Sequence, residues 1–308
     1  MNFPFLPVAS YEDGGIVGQT FTIYNNKILT NSYEHVEKIS FLAGGDTVQG
    51  WHWRVDEGIL YLTDDVGTLQ FSFNGVEIVN GRISAVGMQL GNGAIHRVVM
   101  HETVPIRNDW QIRVSSCLAN KNTALPSLLK SLRRESVSTD DIKVVVGSVP
   151  YAEAFEDTFS GIRHMSDERN LKGFTGMLAD KGNIKKDVRY VLLHDTCKVQ
   201  QGFREWLTDV DVGLNPDIIL FRPPSEGLEM GIYSGDFLLE QDDLEVLGTE
   251  KRLSTLIERA DVVMTVGGTR TIRPPEDHYG EKKLRQEVVM SKPRIVKMKS
   301  FHTRKSHK

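Results

Sequence analysis

The segment Arg189-Tyr-Val-Leu-Leu-His-Asp195-Thr-Cys197 sets an imidazole, a carboxylate and a hydroxyl directly after an apolar run. Such a run reads as a strand buried on both faces, which puts Asp195 at a sheet edge. There it can bind a divalent cation bridging diphosphate oxygens, with His194 as a neighbour, or it can cap the following turn. A second polar cluster, Asn120-Lys121-Asn122, lies between a strand-like stretch (111–118) and a helical pattern (123–135) that carries Leu125, Leu128, Leu129 and Leu132 on one side. Backbone N–H groups at that junction suit an anion or the edge of a nucleotide base, and the same residues serve equally as a cap and solvated loop. Asp209-Val-Asp211 falls at the end of a short predicted helix and reads as a solvated pair. Gly267-Gly268-Thr269-Arg270 fits neither dinucleotide-binding nor Walker spacing and reads as a plain turn.

The elements that must position these residues follow two grammars. From about residue 16 to 105, short β-rich stretches alternate with glycine-rich turns, and no helical period is present. Asn25-Asn26-Lys27 reads as a hairpin turn. Trp51 and Trp53 alternate with His52 and Arg54; with Tyr61 they could stack on a sugar ring, but alternating aromatics are more often core. The expectation is a small antiparallel β domain, a sandwich or partly closed barrel. After Pro105, strands at about 111–118, 142–146, 188–193, 217–221 and 262–266 alternate with helical segments. That order predicts a mostly parallel sheet with flanking helices and a ligand beyond the strand carboxyl ends. The expected divisions are an all-β accessory domain (1–107), an α/β domain (108–290) and a basic tail (291–308).

Several stretches together resemble a nucleotide-sugar-dependent glycosyltransferase of the GT-A type. They are Val114-Ser-Ser-Cys-Leu-Ala-Asn-Lys-Asn122, Leu125-Pro-Ser-Leu-Leu-Lys-Ser-Leu-Arg-Arg134, Ile142-Lys-Val-Val-Val-Gly147, Asn170-Leu-Lys-Gly-Phe-Thr-Gly176 and Tyr190-Val-Leu-Leu-His-Asp-Thr196. The resemblance is one of layout over residues 111–240. It implies that Asn120 and Asn122 face the base or ribose, and that Asn170, Lys172 and Gly173 approach the ribose and diphosphate. Asp195, with His194 and Thr196 adjoining, would hold a cation, Mn or Mg, or the sugar hydroxyls. The usual Asp-x-Asp motif is replaced here by His194-Asp195-Thr196, which puts metal dependence in question. By the same resemblance His302 could return to complete a metal site with Asp195. An inverting member needs a carboxylate base, for which Asp236 is the candidate with Glu229 behind it; Asp236 also suits an N-cap. The implied substrates are a nucleotide-sugar donor and a glycan, lipid-linked or other hydroxyl acceptor, as in polysaccharide biosynthesis.

The chain has 308 residues, 40% of them hydrophobic and 25% charged, which excludes collagen-like, coiled-coil and wholly disordered classes. With 37 basic against 41 acidic residues the net charge is -4, so attraction to nucleic acid or an anionic membrane must come from a local patch. Residues 291–308 form one, with seven Lys or Arg and no acid. It could meet anionic lipid, a lipid-linked diphosphate or nucleic acid, or be a solvated end. Two cysteines, Cys117 and Cys197, fit a reducing compartment, and nothing resembles a signal peptide or membrane span. The expected location is the cytoplasm, with peripheral contact at the inner membrane face also open. Two other functions stay open: a non-catalytic glycan- or partner-binding protein, and a nucleic-acid-binding or nucleic-acid-modifying protein using the basic tail.

Overall fold

The computed structural model describes residues 16–27, 32–79, 82–91, 94–107, 109–117, 120, 122–147, 155–156, 163–166, 173–223, 229–242, 249–266, 269–272, 283–290 and 292–302. The chain divides into two compact units, Met1–Pro105 with Asp211–Asn215, and Ile106–Val210 with Pro216–Lys308.

The first unit contains β1 (Thr20–Lys27), β2 (Ser32–Ser40), β3 (His52–Asp56), β4 (Ile59–Thr63), β5 (Leu69–Val79), β6 (Arg82–Gly91) and β7 (Ala94–Glu102). Their order is β2-β1-β7-β6-β5-β4-β3, antiparallel throughout. Alternation decides the core: Leu60 and Leu62 of β4 face inward with Phe71, Phe73, Phe21 and Ile23. Trp51 and Trp53 pack against this cluster, Trp51 stacked on Phe71 at 5.7 Å and Trp53 edge-on to Phe41 at 5.8 Å, so both are tied to the core. Asn25, Asn26 and Lys27 lie within β1, paired with Glu34, Tyr33 and Ser32, and so are strand residues where a hairpin turn was expected.

Asp211 belongs to this unit, and it is not solvated. It is 7% exposed. Its Oδ1 accepts from the Val104 and Gly213 N–H groups, and its Oδ2 accepts from the Tyr24 hydroxyl at 3.1 Å. The Nε2 of His101 lies 3.1 Å from Oδ2, while its Nδ1 donates to the Glu102 carbonyl. Tyr24 stacks on the His101 ring. Gly213 lies against that ring, where a Cβ would come within 2.5 Å of it.

The second unit contains β8 (Trp110–Cys117), α1 (Ala124–Arg134), β9 (Ile142–Gly147), β10 (Phe155–Glu156), β11 (Arg163–Ser166), α2 (Phe174–Leu178), β12 (Arg189–His194) and β13 (Cys197–Val199). It continues through α3 (Phe203–Thr208), β14 (Ile218–Leu220), β15 (Gly231–Ser234), α4 (Gly235–Glu240), α5 (Thr249–Arg259), β16 (Val263–Thr265), β17 (Thr269–Ile272), β18 (Lys283–Met290) and β19 (Ile295–His302). One sheet runs β10-β11-β9-β8-β12-β15-β14-β16. Here the structure corrects the expected mostly parallel sheet. Pairs β11–β9, β8–β9, β12–β8 and β14–β16 are parallel, but β15 lies antiparallel between β12 and β14, and β10 is antiparallel to β11. A second sheet, β13-β19-β18-β17, is wholly antiparallel. The fold is therefore a sheet-rich α/β arrangement with few and short helices, and not a clean GT-A layout. The physical reason is connection length: β14 and β15 are joined by the short stretch 221–230, too short for the helix-bearing crossover that a parallel pair requires.

Helix α1 buries Leu125, Leu128, Leu129 and Leu132 on one face, and Arg133 and Arg134 in its last turn complement the helix dipole. Helix α2 is a single short turn region followed by a 3₁₀ turn at Lys181–Asn183. The basic segment is likewise not a frayed end throughout, since Ile295–His302 pairs with β18 along its whole length and with β13 at Cys197–Val199.

Candidate functional site

Adjacent parallel strands β8 and β12 end side by side, with His194 in register with Ser115. Their carboxyl ends open into a cavity of about 220 Å³ lined by Ser115, Ser116, Cys117, Asn120, Gly173, His194, Asp195, Thr196, Glu229 and Arg252. That volume is below the roughly 300–1,000 Å³ of ordinary ligand pockets, so it suits a diphosphate or one sugar ring better than a whole nucleotide sugar.

Asp195 is 6% exposed and begins the turn after β12. Its Oδ2 accepts the Ser116 hydroxyl at 2.8 Å, and its N–H donates to the Ser115 carbonyl at 3.2 Å. The carboxylate is thus anchored to both strands. Asn120 sits where β8 gives way to α1, and its carbonyl accepts from the N–H groups of Thr123, Ala124 and Leu125. This satisfies donors at the helix start that Thr123, the cap residue, leaves unserved by its side chain.

Glu229 enters from just before β15 and is buried. Arg252 of α5 grips both of its oxygens, through Nε to Oε1 and through Nη2 to Oε2 at 3.2 Å, and the Phe174 N–H donates to Oε2 at 3.1 Å. Gly173, at φ +57°, brings the chain against this group: a Cβ there would lie 2.3 Å from Glu229 Oε2 and 3.3 Å from His194 Nε2.

Behind the pocket wall stands Lys297 of β19, 6% exposed. Its register opposite Cys197 carries its Nζ to His194 Nδ1 and, at 3.2 Å, to Thr196 Oγ1. A lysine ammonium only donates, so Nδ1 accepts; in the neutral ring the proton is then on Nε2. Cys197 is buried with Sγ 3.3 Å from Met230 Sδ. Burial pushes its thiol up despite the opposing charge of Lys297, which keeps it a protonated core group.

Of the residues expected from the sequence, the cavity brings together Asn120, Gly173, His194, Asp195 and Thr196. Asn122 is exposed and does not line it. Asn170 and Lys172 lie outside the described residues. Asp236 is on the wrong edge: β15 runs antiparallel to β12, so Glu229 stands near the carboxyl end of β12 and Asp236 beyond its amino end. Asp236 is exposed in the first turn of α4, 3.9 Å from Lys186, and the cap expected of it is supplied by Ser234, whose Oγ accepts from Phe237. His302 ends β19, paired with Lys283 and about 17 Å beyond Lys297 along the extended chain.

A divalent cation fits poorly here. Glu229 is committed to Arg252, one oxygen of Asp195 to Ser116, and His194 presents an accepting Nδ1 to an ammonium and an N–H at the other nitrogen. Among the described residues no three His, Cys, Asp or Glu side chains converge as a metal-binding group.

Sequence reasoning missed Ser115, Ser116, Arg252 and Lys297. Two successive serines at the end of an apolar strand were a usable signal, and so was the shared face of Ile295 and Lys297 in a period-two pattern. Nothing local distinguished Arg252 from any other helix arginine.

No family model matches the chain, and no curated protein matches it. Among solved structures it is similar to S. aureus TarS (residues 1–349) at 11% identity and a TM-score of 0.34, covering 50% of this chain and 57% of that one. The same protein in complex with UDP matches at 10% identity with the same TM-score and coverage. The chain thus spans a little over half the length of these structures, and a likeness at this level establishes neither a shared fold nor a shared activity. Among the described residues, no helix is long and apolar enough to cross a membrane.

Proposed function

We propose that the second unit is a glycosyltransferase domain that takes a sugar from a nucleoside diphosphate donor and passes it to a hydroxyl acceptor. The observation that supports this is the buried Asp195 carboxylate anchored by Ser116 at the carboxyl ends of two parallel strands, in a polar cavity with Asn120, His194, Thr196 and Arg252. Open α/β sheets bind their ligands at that edge.

In this reading the donor's diphosphate lies against the N–H of His194 and the hydroxyls of Ser115 and Thr196, which meet the charge that develops as the bond from anomeric carbon to phosphate oxygen breaks. Asp195 takes the proton of the acceptor hydroxyl while the acceptor oxygen forms the new bond to the anomeric carbon and the nucleoside diphosphate leaves. Asp236 has no part in this scheme, and Glu229 holds the pocket wall. The acceptor is a glycan, a lipid-linked sugar or another alcohol.

The test is a thermal-shift panel of nucleoside diphosphates and nucleotide sugars, followed by donor turnover. Binding to the native state raises its stability by about 2.7 kcal/mol at a hundredfold excess over Kd, so one nucleotide class is expected to raise Tm selectively. Absence of a shift across the whole panel would remove the reading and point to a non-catalytic binding protein.

A further inference from the structure

The hairpin formed by β6 and β7 in the first unit reaches past both of its neighbours. Pairing with β5 stops at Phe71 and Gln89, and pairing with β1 stops at Asn25 and Val98. The hairpin itself stays paired through Leu90 with Ile95 and Gly91 with Ala94. Ala94, Ile95, His96 and Arg97 are accordingly exposed, while Val98, Val99 and Met100 are buried. We propose that this tip docks on an anionic phospholipid surface, inserting Leu90 and Ile95 with Arg97 at the level of the headgroups.

Three observations carry it. First, strand alternation places Met88, Leu90, Ile95 and Arg97 on one face, with Leu90 opposite Ile95 and Met88 opposite Arg97. Met88, Leu90 and Ile95 are 43%, 40% and 66% exposed, and clustered apolar exposure marks a contact with a partner or a membrane. Second, from Ile78 to His101 the sequence contains two arginines and no Asp or Glu, and Arg97 makes no ion pair among the described residues. In the turn between β4 and β5, Asp64 is tied to the N–H groups of Val66 and Thr68 and to the Gln70 amide, which leaves Asp65 as the exposed acid there. The hairpin is therefore complementary to phosphate headgroups. Third, Arg97 lies two residues behind Ile95, about 7 Å along an antiparallel strand. Apolar groups of interfacial segments sit roughly 5–10 Å into the headgroup and acyl boundary, so that spacing sets the guanidinium among the phosphates. A narrow protruding tip also falls short of the roughly 20–30 residues a side of a stable protein interface, which favours a deformable lipid surface over a second copy of the chain.

Co-sedimentation of the full chain with vesicles of phosphatidylcholine alone, and of equimolar phosphatidylcholine and phosphatidylglycerol, tests this. Binding is expected to the mixed vesicles only, and to weaken as salt is raised. Leu90→Asp combined with Ile95→Asp is expected to lower the partition coefficient roughly tenfold or more, and Arg97→Gln about fivefold, with wild-type Tm in both because the positions are exposed. Failure to sediment with the mixed vesicles would overturn the proposal, as would equal binding to both kinds of vesicle. Unchanged binding by the double variant would also overturn it and move the contact elsewhere, the basic segment 291–308 included. Light scattering that shows a dimer, converted to monomer by the double variant without any vesicle binding, would overturn it in favour of self-association. Should the double variant fail to fold, Ile95→Ser and Arg97→Gln decide instead.

Discussion

Arg252 and Glu229 form a buried ion pair, with side-chain exposures of 6% and 1%, that joins α5 to the segment leading into β15. Both side chains are largely desolvated, so removing Arg252 takes the opposite charge away from a buried carboxylate. Arg252→Ala is expected to lower stability by about 3–5 kcal/mol, measured from urea unfolding midpoints. Replacing both with apolar residues, Glu229→Leu with Arg252→Met, should recover much of the loss, because the desolvation penalty disappears with the charges.

The Asp195 side chain is held by the Ser116 hydroxyl of β8, a side-chain contact separate from the backbone pairing that joins β8 to β12. Asp195→Ala should therefore keep the far-UV circular dichroism of the wild type and abolish donor turnover. Turnover at the wild-type rate would put the chemistry elsewhere. Ser116→Ala, which leaves the carboxylate but frees its orientation, is expected to reduce turnover by a smaller factor than Asp195→Ala.

Gly173 has φ +57° and ψ −124°, a backbone conformation that favours glycine, and a Cβ there would meet Glu229 and His194. Gly173→Ala meets both a conformational penalty and a contact with a side chain already fixed by Arg252. A loss of about 1–3 kcal/mol is expected, read as a lowered Tm, together with weaker nucleoside diphosphate binding.

The carboxyl of Asp211 is buried, which by itself raises its pKa, but the hydrogen bond and charge of His101 and the N–H groups of Val104 and Gly213 outweigh burial and hold it below its ordinary value. The phenol of Tyr24, raised well above its ordinary value by burial and then by Asp211, stays protonated and donates. A depressed folded pKa stabilises above the unfolded value, about 3.9 for Asp, and that contribution disappears as pH falls through the folded pKa. The stability difference between wild type and Asp211→Asn is therefore expected to be constant from neutral pH to about 5 and to shrink below about 4. Urea midpoints at four pH values check this, and a difference independent of pH would show that Asp211 titrates normally.

Much of the fold was legible because burial is written in local periodicity. Leu60 and Leu62 alternate with half-buried neighbours, which is enough to assign β4 and its inner face. Leu125, Leu128, Leu129 and Leu132 define the buried stripe of α1 in the same way. The apolar run up to His194 placed Asp195 at a strand end without reference to any other part of the chain, and the pocket lies there.

What only the tertiary structure decided is the sense of each strand and the partner of each buried charge. An apolar run reads the same in either direction, so nothing within Gly231–Ser234 announces that β15 turns Glu229 toward the pocket and Asp236 away from it. Asp211 looks solvated beside Asp209 until His101, Tyr24 and Val104, more than a hundred residues earlier, surround it. Lys297 is one of seven basic residues in a polar-looking terminus, and its register opposite Cys197 alone singles it out. Periodicity is a property of neighbours along the chain, whereas a charge is stabilised in the interior by groups that strand pairing brings from far away.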